Sequence, residues 1–204
     1  MNLTNPESVP SPSLLVDPEI VQHNIAKMIE IVGGNVSRLR PHVKTHKMPK
    51  VVRLQLDAGI SKFKAATLAE VEMVADTGAK DVLLAYQPVG PNLERFQDLI
   101  AKFPATAFSA IVDDPSSTAS IAKKLGFSAK PFPLFIDIAC GMHRTGIPFG
   151  PEMEKLREQI EADPNLEFAG LHVYDGHVHD ADLDTRKEQA GEIIATVREH
   201  EAPT

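Results

Sequence analysis

Apolar positions along this chain switch repeatedly between the spacing of strands and the spacing of helices. Five short runs predict strands: KFKAA (62–66), DVLLAY (81–86), FSAIVDD (108–114), PLFIDIA (133–139) and EFAGLHVY (167–174). Helical spacing predicts a helix opening at Pro18 and stopping at Gly33-Gly34, and another with Pro49 in its first turn and Gly59 at its end. Thr67 and Glu70 stand at the spacing of a capping box, opening a helix that runs to Gly78. Further helices are expected from Pro91 to near Lys102 and over 115–125, 151–161 and 183–200. Two more segments look extended: SLLVD (13–17), a leading strand, and RLRPHVKTH (38–46). A strand returning about every 25 residues with a helix in each gap demands parallel strands joined by crossover helices. That leaves an open wound sheet or a closed barrel. No strand is followed by GxGxxG or GxxxxGK[ST], the nucleotide loops of open sheets, so the pattern predicts an α/β, TIM-type (β/α)8 barrel.

Six strand–helix units fit from residue 38 onward, with SLLVD left over, whereas a barrel needs eight. The expectation is an incomplete barrel, about six of eight units, with residues 1–204 forming one barrel domain that stops before the last strands. Composition changes this picture little: 43% hydrophobic and 24% charged residues are ordinary for a globular chain. A net charge of −7 argues against nucleic acid or an anionic membrane as main partner, since both reward clustered Lys and Arg. No apolar run approaches the length of a membrane span, and the opening MNLTNPESVPSPS has no signal-peptide pattern. A single cysteine, Cys140, permits no internal disulfide and fits a reducing compartment, so a cytoplasmic location is expected.

Three segments carry candidate chemistry. If 38–46 is a strand, alternation places Arg38, Arg40, His42, Lys44 and His46 on one face, toward the barrel interior. The competing reading is a solvated edge strand. Lys44 is the best single candidate, near a C-terminal strand end where barrel active sites are built. Cationic neighbours and burial would favour its free amine, suited to a Schiff base with an anionic carbonyl compound. The second segment, Asp137 to Gly146, leaves a strand end through Gly141 and holds Arg144 in a short turn. Arg144 reads either as a guanidinium aimed at a cofactor or substrate carboxylate, or as the ion-pair partner of Asp137. Cys140 and His143 read as packing residues. In the third, Gly170 to His179, His172 and Tyr174 share a strand face with Gly170, placing flat rings above a small residue. His42, His46, His172, His177 and His179 also invite a metal-hydrolase reading, but their spacing matches no tight ligand motif, and no metal ligand is assigned.

RPHVKTHK (40–47), preceded by PSLLVD (12–17) and followed by KAATLAEVEMVADTG (64–78), resembles the D-threonine aldolase and D-serine dehydratase group. These belong with the alanine-racemase-like, fold type III pyridoxal-phosphate enzymes. DIACGMHRTGI (137–147) and GLHVYDGHVH (170–179) match the same group in order and spacing. The resemblance implies that Lys44 bonds to pyridoxal 5'-phosphate, that Arg144 lies near the pyridine nitrogen, and that His172 or Tyr174 contacts the ring. It also implies that SLLVD pairs with a C-terminal β domain absent from these 204 residues, and that the divalent-metal ligands of the full-length family lie there too. The expected function is a lyase acting on D-hydroxy amino acids, or the N-terminal part of one. The alternatives are an amino-acid racemase and a non-catalytic pyridoxal-phosphate-binding protein. The expected partners are a small D-amino acid and further copies of the chain, since open strand edges invite association.

Overall fold

A computed structural model describes residues 4–125 and 130–201, without the side chain of Glu201. Five strands form one parallel sheet in chain order: β1 (Lys62–Ala65), β2 (Asp81–Leu84), β3 (Ala107–Val112), β4 (Phe132–Ile138) and β5 (Leu166–Val173). Seven helices accompany them: α1 (Pro18–Ile31), α2 (Pro49–Asp57), α3 (Leu68–Asp76), α4 (Pro91–Lys102), α5 (Pro115–Leu125), α6 (Pro151–Ala162) and α7 (Leu183–Glu201). The five aliphatic runs and all seven helices lie where hydrophobic spacing places them. Helix starts follow local chemistry. Asp17 accepts from the backbone of Glu19 at the head of α1, and Thr67 Oγ1 accepts from Glu70 N at the head of α3. Glu70 reaches back to Ala66 N at 2.7 Å, one residue before the cap itself.

Helices α1 to α6 pack side by side in chain order, with α3 on β1 and β2, α6 on β4 and β5, and α7 against β5. The core lies between these layers, where Phe63, Ala65, Val82, Leu84, Ala110, Val112, Leu134 and Ile136 alternate toward the helices, nearly inaccessible to water. Odd-phase residues of the later strands face the other way. β1 and β5 do not meet, so the sheet is an unclosed arc of a barrel.

Two expected strands are corrected. SLLVD (13–17) forms no strand and finds no partner among the described residues; Leu14 is 76% exposed. Residues 38–46 form no regular strand either. A 3-10 turn ends at Arg38, a single bridge pairs His42 with Lys64, and a second 3-10 turn spans Val43–Thr45. The cause is local. Pro41 has no N–H to give a ladder, though its carbonyl accepts from Lys64 N at 2.9 Å. The His42 ring accepts from Lys44 N and curls the chain, and Val43 O then accepts from both His46 N and Lys47 N. Lys47 closes the turn with φ of 49°, a left-handed conformation uncommon for a long side chain.

Candidate functional site at the C-terminal strand ends

The curl at 42–46 dissolves the five-residue basic face. Arg40 is drawn to the Asp81 carboxylate, with Nη2 to Oδ2 at 2.9 Å, and Arg38 reaches back to Val32 O. His46 Nδ1 accepts from Met48 N. His42 and Lys44 alone of the five line a cavity of about 460 Å³ at the C-terminal ends of the strands. Lys64, Asp113, Asp137, Arg144, His172 and Tyr174 line it too. All four side chains singled out from sequence, Lys44, Arg144, His172 and Tyr174, therefore open onto one space.

Tyr174 organises the mouth. Lys44 Nζ lies 5.4 Å from its ring centroid, Arg144 Cζ 5.5 Å and Lys64 Nζ 5.9 Å, within reach of cation–π attraction. A Cβ on Gly176 would fall 2.4 Å from the Tyr174 ring, so only glycine lets the ring lie back there. The Cys140 thiol donates to Tyr174 O at 3.2 Å, and burial pushes its pKa up. Cys140 is thus a tether rather than a nucleophile. Cys140→Ser keeps a donor of similar reach. The serine variant is expected to match the parent in melting temperature within about 2 °C and in cofactor retention; loss of retention without loss of stability would contradict this.

Arg144 is carried by a loop that doubles back on its own strand. Ile147 N donates to Asp137 O and Ala139 N to Ile147 O, while Gly146 N donates to Asp113 Oδ2 at 2.7 Å. Gly146 has φ of +98°, and a Cβ there would come within 2.6 Å of Ala139 N. The ion pair considered between Arg144 and Asp137 does not form. Asp137 is buried and its Oδ1 takes His172 Nδ1 at 2.6 Å, while the other ring nitrogen of His172 lies 3.2 Å from Lys64 Nζ. A carboxylate can only accept, so Nδ1 carries the proton and Nε2 is left to accept from Lys64. His177 packs over Gly141. Among the described residues no three His, Cys, Asp or Glu side chains gather as a metal site.

Lys64, Asp113 and the Asp137–His172 pairing were not foreseen from the sequence. A signal for Lys64 was present: in KFKA, Phe63 and Ala65 take the helix-facing phase, so Lys62 and Lys64 must take the interior one. Burial lowers the pKa of Lys64, the charge of Lys44 lowers it further, and Asp137 opposes both. His42 is pushed down from 6.5 to about 4 by burial first and then by the charges of Lys64 and Lys44.

The His42 shift makes stability depend on pH. An unfolded chain binds this proton below 6.5 and the fold refuses it until about 4, so the contribution is present at pH 7, falls across that window and is flat below it. After allowance for solvent screening the loss is about 1 kcal/mol, or roughly 2–4 °C in melting temperature. His42→Gln should remove that part of the acid sensitivity, read from melting curves between neutral pH and pH 4. Superimposable profiles for variant and parent would refute it.

With this geometry the relationships are plain. Residues 16–203 match the model of the alanine racemase N-terminal domain, and the chain belongs to that family. It is 29% identical over 195 residues to a 3-hydroxy-D-aspartate aldolase of Paracoccus denitrificans, covering 94% of this chain and 50% of the relative. A D-threo-3-hydroxyaspartate dehydratase of a Delftia species is 31% identical over 137 residues, covering 67% of this chain and 36% of that one. The crystal structure of D-threonine aldolase from Filomicrobium marinum superposes with a TM-score of 0.83 at 27% identity, covering 95% of this chain and 54% of the other. The chain spans about half the length of the curated relatives it matches.

Proposed function

We propose that this chain is a barrel domain of a pyridoxal-phosphate-dependent lyase acting on D-hydroxy amino acids, of the aldolase or dehydratase type, with Lys44 as the cofactor lysine. The observation that carries this reading is the set of three basic side chains, Lys44, Lys64 and Arg144, ranged around one tyrosine ring beside a buried Asp137–His172 pair. A planar, anionic aldehyde suits that donor set: an amine to bond it, flat rings to face it and a guanidinium to balance its charge. The buried Gln87 Oε1, in the cavity wall and without a partner among the described residues, is an acceptor open to a donor. The likeness to hydroxyaspartate and threonine lyases supports a β-hydroxylated D-amino acid as substrate.

When bound, pyridoxal phosphate supplies the electron sink that lets a bond at the substrate α-carbon break. The chain's own residues have distinct tasks. Lys44 presents its amine at the mouth, from a turn fixed by His42. His172 offers a ring whose orientation Asp137 holds, and Arg144 stands opposite on a loop clamped by Asp113. Tyr174 forms the outer wall, with the three basic groups ranged about its ring. The single cysteine fits work in a reducing cytoplasm, and the open edge of β5 with exposed Leu14 and Leu15 fits association with further copies.

Borohydride reduction in the presence of pyridoxal phosphate, followed by peptide mapping, tests the reading. The pyridoxyl group is expected on Lys44. Labelling spread over surface lysines such as Lys123 and Lys124 would overturn it.

A further inference from the structure

We propose that Lys64 is a second working amine of this cavity, the base that takes the proton from the ammonium group of an arriving amino acid. The inference rests on the assignment of Lys44 as cofactor lysine and adds a role that assignment leaves empty. An amino acid enters at neutral pH as its ammonium form, which has no lone pair and cannot displace Lys44 from a carbonyl carbon. A neutral amine beside Lys44 removes that obstacle. The substrate N–H bond breaks, a new N–H bond forms on Lys64 Nζ, and the products are a substrate amine with a free lone pair and a Lys64 ammonium.

Three features of the structure point to Lys64. Its Nζ lines the same cavity as Lys44, and both amines lie within 6 Å of the centre of one tyrosine ring. It is held from behind: His172 Nε2, whose tautomer is fixed by Asp137, accepts one N–H and leaves the rest of the amine facing the cavity. Burial, and in the cofactor-free chain the Lys44 charge, favour its neutral form, while Asp137 keeps the ammonium tolerable once formed. The arrangement can therefore hold a proton and give it up. Nearby His42 and Arg40 add no acidic partner that would lock Lys64 in its charged form; Arg40 is committed to Asp81.

The test has two readouts. In the cofactor-free full chain, lysine side-chain carbon signals are titrated by NMR, and the Lys64 signal is identified by its loss in Lys64→Arg. It should titrate below the surface lysines, move up in Lys44→Met and move further down in Asp137→Asn. Titration together with the surface lysines would overturn the proposal. In the cofactor-loaded chain, the rate at which D-serine displaces the cofactor from Lys44 is followed by absorbance. Lys64→Arg keeps a donor for His172 but cannot lose its proton, and Lys64→Met has neither the donor nor the base. Each should slow displacement by about tenfold or more at neutral pH and regain the parent rate as alkali deprotonates the amino acid. A uniform loss at every pH, or none, would overturn it. Absence of a pyridoxyl mark on Lys44 would instead sink the reading of the site, and the titration alone would then decide the state of Lys64.

Discussion

Under the proposed assignment of Lys44, Lys44→Ala is expected to abolish covalent capture of pyridoxal phosphate and with it the pyridoxyl label fixed by borohydride. No other amine can take over. Lys64 faces the same cavity, but its Nζ is engaged by His172 Nε2 at 3.2 Å. Lys44 is exposed and caps no helix, so its removal should leave stability within about 0.5 kcal/mol of the parent. A borohydride label moving to Lys64 in the variant, or visible absorbance of bound cofactor surviving unchanged, would contradict the assignment. A melting curve run in parallel separates loss of chemistry from loss of fold.

The largest structural effect should come from the opposite end of the sheet. Phe96 on α4 is fully buried, and its ring meets Phe108 at 6.0 Å and Phe132 at 5.9 Å, both edge to face. Both partners stand at the starts of their strands, remote from the cavity at the strand ends. Phe96→Ala should cost about 3–5 kcal/mol through lost burial and the void left behind, with part of that from the two ring contacts. The melting temperature should fall by about 10 °C, whereas Phe96→Leu, which keeps most of the volume, should cost under half as much. Chemical denaturation measures this directly. A cost below about 1.5 kcal/mol would mean that neighbouring side chains collapse into the space.

The strands and helices were legible because each carries its own signal. DVLL and FPLFIDI carry apolar residues on both phases, as strands covered on two sides do, and Thr67 and Pro91 mark helix starts in the letters themselves. RLRPHVKTH misled for a physical reason. Leu39 and Val43 are both buried, and a spacing of four satisfies alternation and a helical turn alike. The proline and the His42 ring decide between them through hydrogen bonds that no periodicity reports. SLLVD likewise has the composition of a strand, but a strand needs a neighbour. Lys44, Arg144, His172 and Tyr174 could be picked out individually because they sit in unusual local patterns. Their convergence on Tyr174, and the tie of Asp137 to His172 rather than to Arg144, depend on residues 35 apart in the chain and appear only once the sheet is assembled.

The pairing of β4 with β5 skips one residue: Leu134 lies beside Phe168 and Phe135 beside Gly170, leaving Ala169 without a partner. Gly170 takes φ of +125° at that point. Before the skip, Phe168 faces the helices and stacks with Arg157; after it, His172 shares the face of Asp137 and looks into the cavity. Pairing the strand without the skip, with Ala169 beside Phe135, would rotate the second half of β5 by one phase and send His172 and Tyr174 into the helix layer. Deleting Ala169 would instead close the skip and leave His172 beside Asp137. The skip, not the count of residues alone, sets which of two addresses these side chains take. Any redesign of this strand, or any search for its chemistry in a related chain, has to count the bulged residue together with the spacing from Phe168 to His172 before it matches the letters.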